Sequence, residues 1–408
     1  MHGTLRSAFK NFSVLFFYYS ALLLVFYLAS NGFGKTGLLT GSSLLNWDAQ
    51  HYLKIAEHGY EDIYTSAFFP LFPLIWKLSA LGPVGISILN GLLFMVSLAF
   101  AGAVWGWTTR LLLLSASVPS LIFMFLPYSE AVFFIASLAV LAGYHKNNTP
   151  LLCLGFMLCG MARPVTTVLI PAIIITELCS AGLTRPSFAR MLLPVMFSLA
   201  GMAIALTYQY AFTGSFTSFF EAQKAWGNNP GWPEFPLTSW GGDKIVRLDG
   251  TALLAGFVAG LAFLFLCIKG RIRTLPREVL FSILYLSGIA LLIFLIRGGS
   301  LFSLNRFVFA TPFFLMALYY LVLRNEFSLK QVFIFFFMTF LFWLMLGSYK
   351  HIQVLGWFAL TSGFLSLFLL IGSGRPALSR AAFILCLALN SGLQVYFFYR
   401  FLNGQWVA

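Results

Sequence analysis

The amino-acid sequence predicts an all-α protein, a polytopic transmembrane helical bundle, on three observations. Of its 408 residues, 60% are hydrophobic and only 9% charged, where ordinary soluble domains carry about 25% charged residues. Apolar runs of membrane-spanning length recur from end to end, and inside a bilayer such runs satisfy their backbone polar groups as helices. No polar stretch is long enough for a separate soluble domain, so residues 1–408 read as one integral-membrane unit.

The elements follow in chain order. Arg6 and Lys10 precede the apolar run from Val14 to Ala29. Its length and aromatic content predict a retained first span over 12–30 rather than a cleaved signal peptide. A first loop, 31–67, then holds a short amphipathic helix between Asn46 and Tyr60. Asn46 is the expected N-cap and Gly59 the expected stop. Asp48 falls in the first turn, where the helix dipole favours a carboxylate; Asp48, His51 and Ile55 share a face. Pro70 and Pro73 break the apolar segment 68–82, which reads as re-entrant or interfacial. Further spans are expected at 84–106, 111–127, 129–144, 151–162, 165–180, 191–212, 250–268, 278–296, 307–323, 331–347, 354–372 and 381–400, for about 11–13 crossings in all. The segment 151–162 is short and reads as half-buried against other helices.

Charge orients the bundle. With the N-terminus in the cytoplasm, alternation places 14 of the 25 basic residues but only 3 of the 12 acidic ones on the cytoplasmic side, a balance of +11 there against +2 opposite. This follows the positive-inside rule. The same alternation puts the Asp48 helix, the loop 213–249, Arg163 and the turn 297–306 on one non-cytoplasmic face. The net charge of +13 does not mark a nucleic-acid binder, because the basic residues are scattered over short loops. Five cysteines lie in apolar segments with neither metal-like nor disulfide-like spacing, and read as small buried hydrophobes.

Several polar residues point to chemistry on that face. Arg163, Arg297 and Arg306 are candidates for holding a phosphate, since a guanidinium presents a planar fork to phosphate oxygens. Gly298 and Gly299 would let backbone N–H groups approach the same anion. Lys350 and His351 are weaker candidates. Glu130 heads a span, where an acid is costly and functional by default; pairing with Arg163 is its plainer role. The loop 213–249 is rich in aromatics, glycine and proline, and suits a sugar or headgroup surface, or an interfacial aromatic belt including Trp226, Trp232 and Trp240. His58 with Glu57, Glu61 and Asp62 matches no standard metal-ligand spacing, so no cofactor is expected.

Trp47-Asp48-Ala49-Gln50-His51-Tyr52-Leu53, followed by Ile55-Ala56, Gly59-Tyr60 and Ala67-Phe68-Phe69-Pro70-Leu71-Phe72-Pro73, resembles the signature of the PIG-V family. These are multi-span mannosyltransferases of the C-type membrane glycosyltransferase superfamily. Pro127-Tyr128-Ser129-Glu130 resembles the family's Tyr-Ser-Glu element. Ala162-Arg163 resembles its Ala-Arg-Ser-Asn-Gly element, with Pro164-Val165 in place of Ser-Asn. Gly214 to Gly227, with Glu221, Gln223 and Trp226, resembles a loop of bacterial members. The resemblance covers roughly residues 1–310.

It implies transfer of mannose from a polyprenyl- or dolichyl-phosphate-mannose donor to a lipid-linked or envelope glycan, with inversion. Asp48 would be the catalytic base; His51, Arg163, Arg297 and Arg306 would hold the donor phosphate; Trp47, Tyr52, Glu130, Glu221, Gln223 and Trp226 would position or touch substrate. A lipid-monophosphate leaving group requires no metal. Eukaryotic members add the second mannose to the glycosylphosphatidylinositol precursor in the endoplasmic reticulum. The length and the departure after Arg163 favour a prokaryotic relative in the plasma membrane, acting on a different acceptor. The partners implied are the bilayer, the donor and the acceptor. The rival from another class is a lipid or polyol transporter, which also has many spans but often shows inverted repeats, and none is evident here.

Overall fold

Long apolar runs without internal breakers become long helices. The computed structural model describes residues 2–32, 39–182, 184–228, 230–235, 237–239, 243–346 and 352–407, without the side chains of 2 and 243–247. Among these residues there is no strand, and one isolated bridge joins Thr238 to Ser300. Among the described residues eight helices are long and apolar enough to cross a membrane: Gly3–Gly32, Pro83–Val104, Arg185–Thr213, Leu248–Ile268, Arg277–Ile296, Leu329–Leu346, Ile352–Ile371 and Pro376–Leu402. The protein is an integral, multi-pass, all-α membrane bundle.

The expected spans differ from the observed helices where proline intervenes. Residues 111–127 do not form one crossing. They divide into a helix Thr109–Ala116 and a 3-10 segment Pro119–Phe125, which meets the helix Glu130–His145 at a 107° bend. The bend frees backbone carbonyls inside the bundle, where each must find a donor. Asn90 supplies two N–H bonds, to Leu126 O at 2.7 Å and Tyr128 O at 3.0 Å. The expected span 307–323 likewise divides into Leu304–Phe309, Pro312–Leu318 and a π-turn Tyr319–Leu323. Counting the bent pair as one span gives nine crossings by length, against the expected 11–13; Thr149–Ala162, Thr166–Ala181 and Pro312–Leu323 are shorter apolar helices.

The short helix Thr149–Ala162 lies against protein on two sides. A Cβ on Gly155 would come within 2.7 Å of Val140 N, and one on Gly201 would strike Met157 O. Small residues let these backbones approach closely, so the helix does not need bilayer length to be buried. It ends at Arg163. The proline-broken segment 68–82 forms a nine-residue helix, Leu71–Ser79, too short to cross.

Candidate functional site

The amphipathic helix predicted near residue 48 spans Asp48–His58 and stops at Gly59, whose φ is +80°. Its N-cap is Trp47, not Asn46. Asn46 instead donates from Nδ2 to Ser43 O and Phe401 O, both at 2.8 Å, tying the loop to the end of the last helix. Trp47 adopts φ +56°, a strained value for a bulky residue. Its ring meets Trp406 edge-on at 5.0 Å.

From this helix Asp48 enters a chain of four charged groups. Arg306 donates from Nη1 to Asp48 Oδ2 and from Nε to Glu130 Oε1, both at 2.7 Å. Arg163 Nη2 reaches the same Glu130 oxygen at 2.5 Å, and its Nε donates to Ser129 Oγ at 3.2 Å. Tyr52 Oη lies 2.8 Å from Ser129 Oγ. Glu130 is fully buried, and Arg163 and Arg306 are 4% and 5% exposed, so the charges depend on one another for solvation. Aromatic rings complete the cage. Arg306 lies 4.7 Å from the Tyr128 ring centre, and Arg163 lies 5.1 Å from that of Phe307. Arg163 Nη1 and Glu130 Oε2 have no hydrogen-bond partner among the described residues. Arg306 sits on the short helix Leu304–Phe309, which follows Ser303 at φ +64°. Both residues of the Asp48–Arg306 contact are thus introduced by a strained residue, a pattern that clusters at functional sites.

The chain opens into a cavity of about 520 Å³, lined by Asp48, Arg163 and Arg306 together with Trp47, His51, Tyr52, Gln223, Trp226 and Arg297. His51 stacks on Phe68 at 5.1 Å and meets Trp226 edge-on at 5.5 Å. Burial lowers its pKa below the usual 6.5, against an opposing pull from Asp48, so the ring is neutral at pH 7. Arg297 lies over the Phe302 ring at 3.8 Å and donates to Phe302 O. Its low-dielectric surroundings bring its pKa down to about 10, which leaves it cationic at neutral pH. Trp226 donates to Tyr64 O at 3.1 Å and so fixes the helix Ser218–Ala225 over the first loop.

Glu221 does not line the cavity; it is exposed and accepts from Thr217 Oγ1 at 2.7 Å, because the short helix turns that residue away from Gln223. In the Gly298-Gly299-Ser300 turn, Gly299 N donates to Phe294 O and Ser300 N to Arg297 O, so two of its three N–H groups already have acceptors. Trp240, Lys350 and His351 lie outside the described residues. Among the described residues no three His, Cys, Asp or Glu side chains gather as a metal-holding group.

Two residues in or behind the site, Asp249 and Trp406, were not singled out in the sequence. Asp249 is fully buried and accepts from Asn305 N at 3.0 Å, Asn305 Nδ2 at 2.7 Å and Ser239 Oγ at 2.7 Å. Asn305 in turn accepts from Ser120 Oγ at 2.8 Å. Asp249 thereby braces the residue next to Arg306. An acid at the head of an apolar run is a functional candidate by its cost alone, but the span expected at 250–268 begins one residue too late to include it. Trp406 gave no signal, since only folding brings it beside Trp47. Compared with known proteins, the chain matches no family model, no curated protein and no solved structure.

Proposed function

We propose that the protein is an inverting membrane glycosyltransferase that moves mannose from a polyprenyl-phosphate carrier to a lipid-linked or envelope glycan on the non-cytoplasmic face. The observation that carries this is the Asp48–Arg306–Glu130–Arg163 chain opening into the cavity. Two carboxylates stand against three guanidiniums, Arg163, Arg297 and Arg306, with His51 neutral. That leaves one positive charge, which matches the single negative charge of a sugar phosphodiester. The leaving group gains charge as it departs, and fixed cations stabilise developing charge without reorganisation.

Asp48 is the base. It takes the proton of the acceptor hydroxyl as that oxygen attacks the anomeric carbon. The bond from that carbon to the phosphate oxygen breaks on the opposite side, and polyprenyl phosphate leaves with the electron pair. Arg306 orients Asp48 through its bond to Oδ2. Trp47, Tyr52 and Trp226 shape the walls.

The test is sugar transfer in membranes, using labelled polyprenyl-phosphate-mannose with wild type and Asp48→Asn at matched expression. Label should enter a new glycosidic bond with wild type only. A donor that crosses the bilayer without any new bond would replace the transferase with a transporter; equal transfer by Asp48→Asn would remove Asp48 as the base.

A further inference from the structure

The cavity has a second chamber of about 360 Å³. It shares Trp226, Asn228, Arg297 and Phe302 with the first, so the stacked Arg297–Phe302 pair lies at the boundary between the two. The chambers differ in chemistry. The first is ionic. The second adds Thr238, Ser239 and Ser300, and among the described residues no carboxylate and no cation except Arg297 lines it.

We infer that the second chamber is a binding site for a neutral sugar, the hexose unit of the acceptor that carries the attacking hydroxyl. Its place in the reaction rests on the transferase reading; the sugar affinity does not. Four features select a polyhydroxyl over a phosphate. Asn228 is buried, its Nδ2 is engaged by Gln223 Oε1 at 2.6 Å, and its Oδ1 has no donor among the described residues. A sugar hydroxyl supplies that donor, whereas the oxygens of a phosphodiester would bring only more lone pairs. Ser239 donates its hydroxyl hydrogen to Asp249, so it too faces the chamber as an acceptor. Most of the backbone N–H groups around the turn already have acceptors: Gly299 N donates to Phe294 O, Ser300 N to Arg297 O, Leu301 N to Thr238 O and Thr238 N to Gly299 O. Trp226, held by its bond to Tyr64 O, supplies an aromatic wall of the kind that packs on the C–H face of a pyranose.

The test uses the full-length protein in lipid nanodiscs. Saturation-transfer NMR reads binding of methyl α-mannoside and methyl α-glucoside, with inorganic phosphate as the competing ligand. Ser300→Trp fills the second chamber; Thr238→Val with Ser300→Ala removes two hydroxyls at nearly constant shape and guards against misfolding. Neither position lines the first chamber. At least one glycoside should bind wild type, losing most of its signal in Ser300→Trp and about fivefold in affinity in the double variant. Polyprenyl-phosphate-mannose affinity should stay within about twofold of wild type, since its phosphate belongs in the first chamber. Loss of donor or phosphate affinity in place of glycoside affinity would make this the phosphate chamber and overturn the inference. So would a glycoside signal that is absent, or the same in all three proteins. Glycoside binding as expected without any transfer would leave the sugar chamber and remove the transferase. Asp48-dependent transfer with no effect of either variant on glycosides would do the reverse.

Discussion

The helix Glu130–His145 carries an ionic cluster at each end, and the two are built differently. At its first residue, Glu130 holds Arg163 and Arg306 at 2.5 and 2.7 Å, with both arginines almost wholly buried. At its last, His145 lies 2.8 Å from Glu278, while nearby Glu177 faces Arg190 at 3.5 Å and Arg277 at 3.8 Å. There the His145 and Arg190 side chains are more than a third exposed. Both set buried glutamates against arginines. The first cluster has only short contacts, is caged in aromatic rings and opens to a cavity; the second has one short contact, His145–Glu278, and two long ones around Glu177, whose arginines can turn to water or headgroups. Ion pairing alone is therefore no sign of a site. Burial with short contacts, backbone strain and an adjoining cavity together mark the first end.

The largest way to sharpen this contrast is Asp48→Asn, expected to reduce transfer by roughly 10²–10⁴-fold with the protein still folded, because Arg306 keeps its bond to Glu130; a variant that no longer folds would give Asp48 a mainly structural role. Next is Glu130→Gln, which leaves buried Arg163 without a carboxylate and Arg306 with Asp48 alone, and should cost about 3–5 kcal/mol, read as lowered thermal stability in detergent. A cost below about 1 kcal/mol would mean that water reaches the first cluster as it does the second.

Asp249→Ala comes third. With Asn305 unbraced, Arg306 loses its placement, and transfer should fall about tenfold, since small misplacements are costly at a reacting centre. Because positioning rather than stability is at stake, Asp249→Asn should recover part of the rate; equal loss in both variants would argue against it. Glu177→Gln should cost about 1 kcal/mol or less and leave transfer within twofold, because its arginines can be solvated when the acid is gone. A large activity loss there would dissolve the distinction between the two ends.

The smallest effect is one of pH. Burial lowers the pKa of His51 below 6.5, so the unfolded chain binds the proton more readily than the folded one. Stability is unaffected above about pH 6.5 and declines as pH falls from there towards the folded value. In His51→Phe that part of the decline should vanish from thermal unfolding curves taken between pH 5 and pH 7. Asp62, whose carboxylate accepts from Tyr64 N, has a lowered pKa and acts only in more acidic solution, below its usual 3.8, so the two do not overlap.

The sequence by itself determined the class of protein, the course of its long helices and the location of its candidate centre. These follow from local physics: apolar length, proline, the glycine after His58, and the cost of placing Asp48, Glu130, Arg163 and Arg306 in an apolar chain. The expected orientation also placed Asp48, Arg163 and the 297–306 turn on one face, and folding brings them into one cavity. Only the tertiary structure decided the rest. Where the chain breaks at residues 117–129, Asn90 replaces lost backbone bonds from 36 and 38 residues away. Arg306 pairs with Asp48 across 258 residues, and Asn46 is held by Phe401 across 355. No periodicity encodes such separations. Whether an acid points into a cavity, as Asp48 does, or out to solvent, as Glu221 does, depends on which helices pack around it.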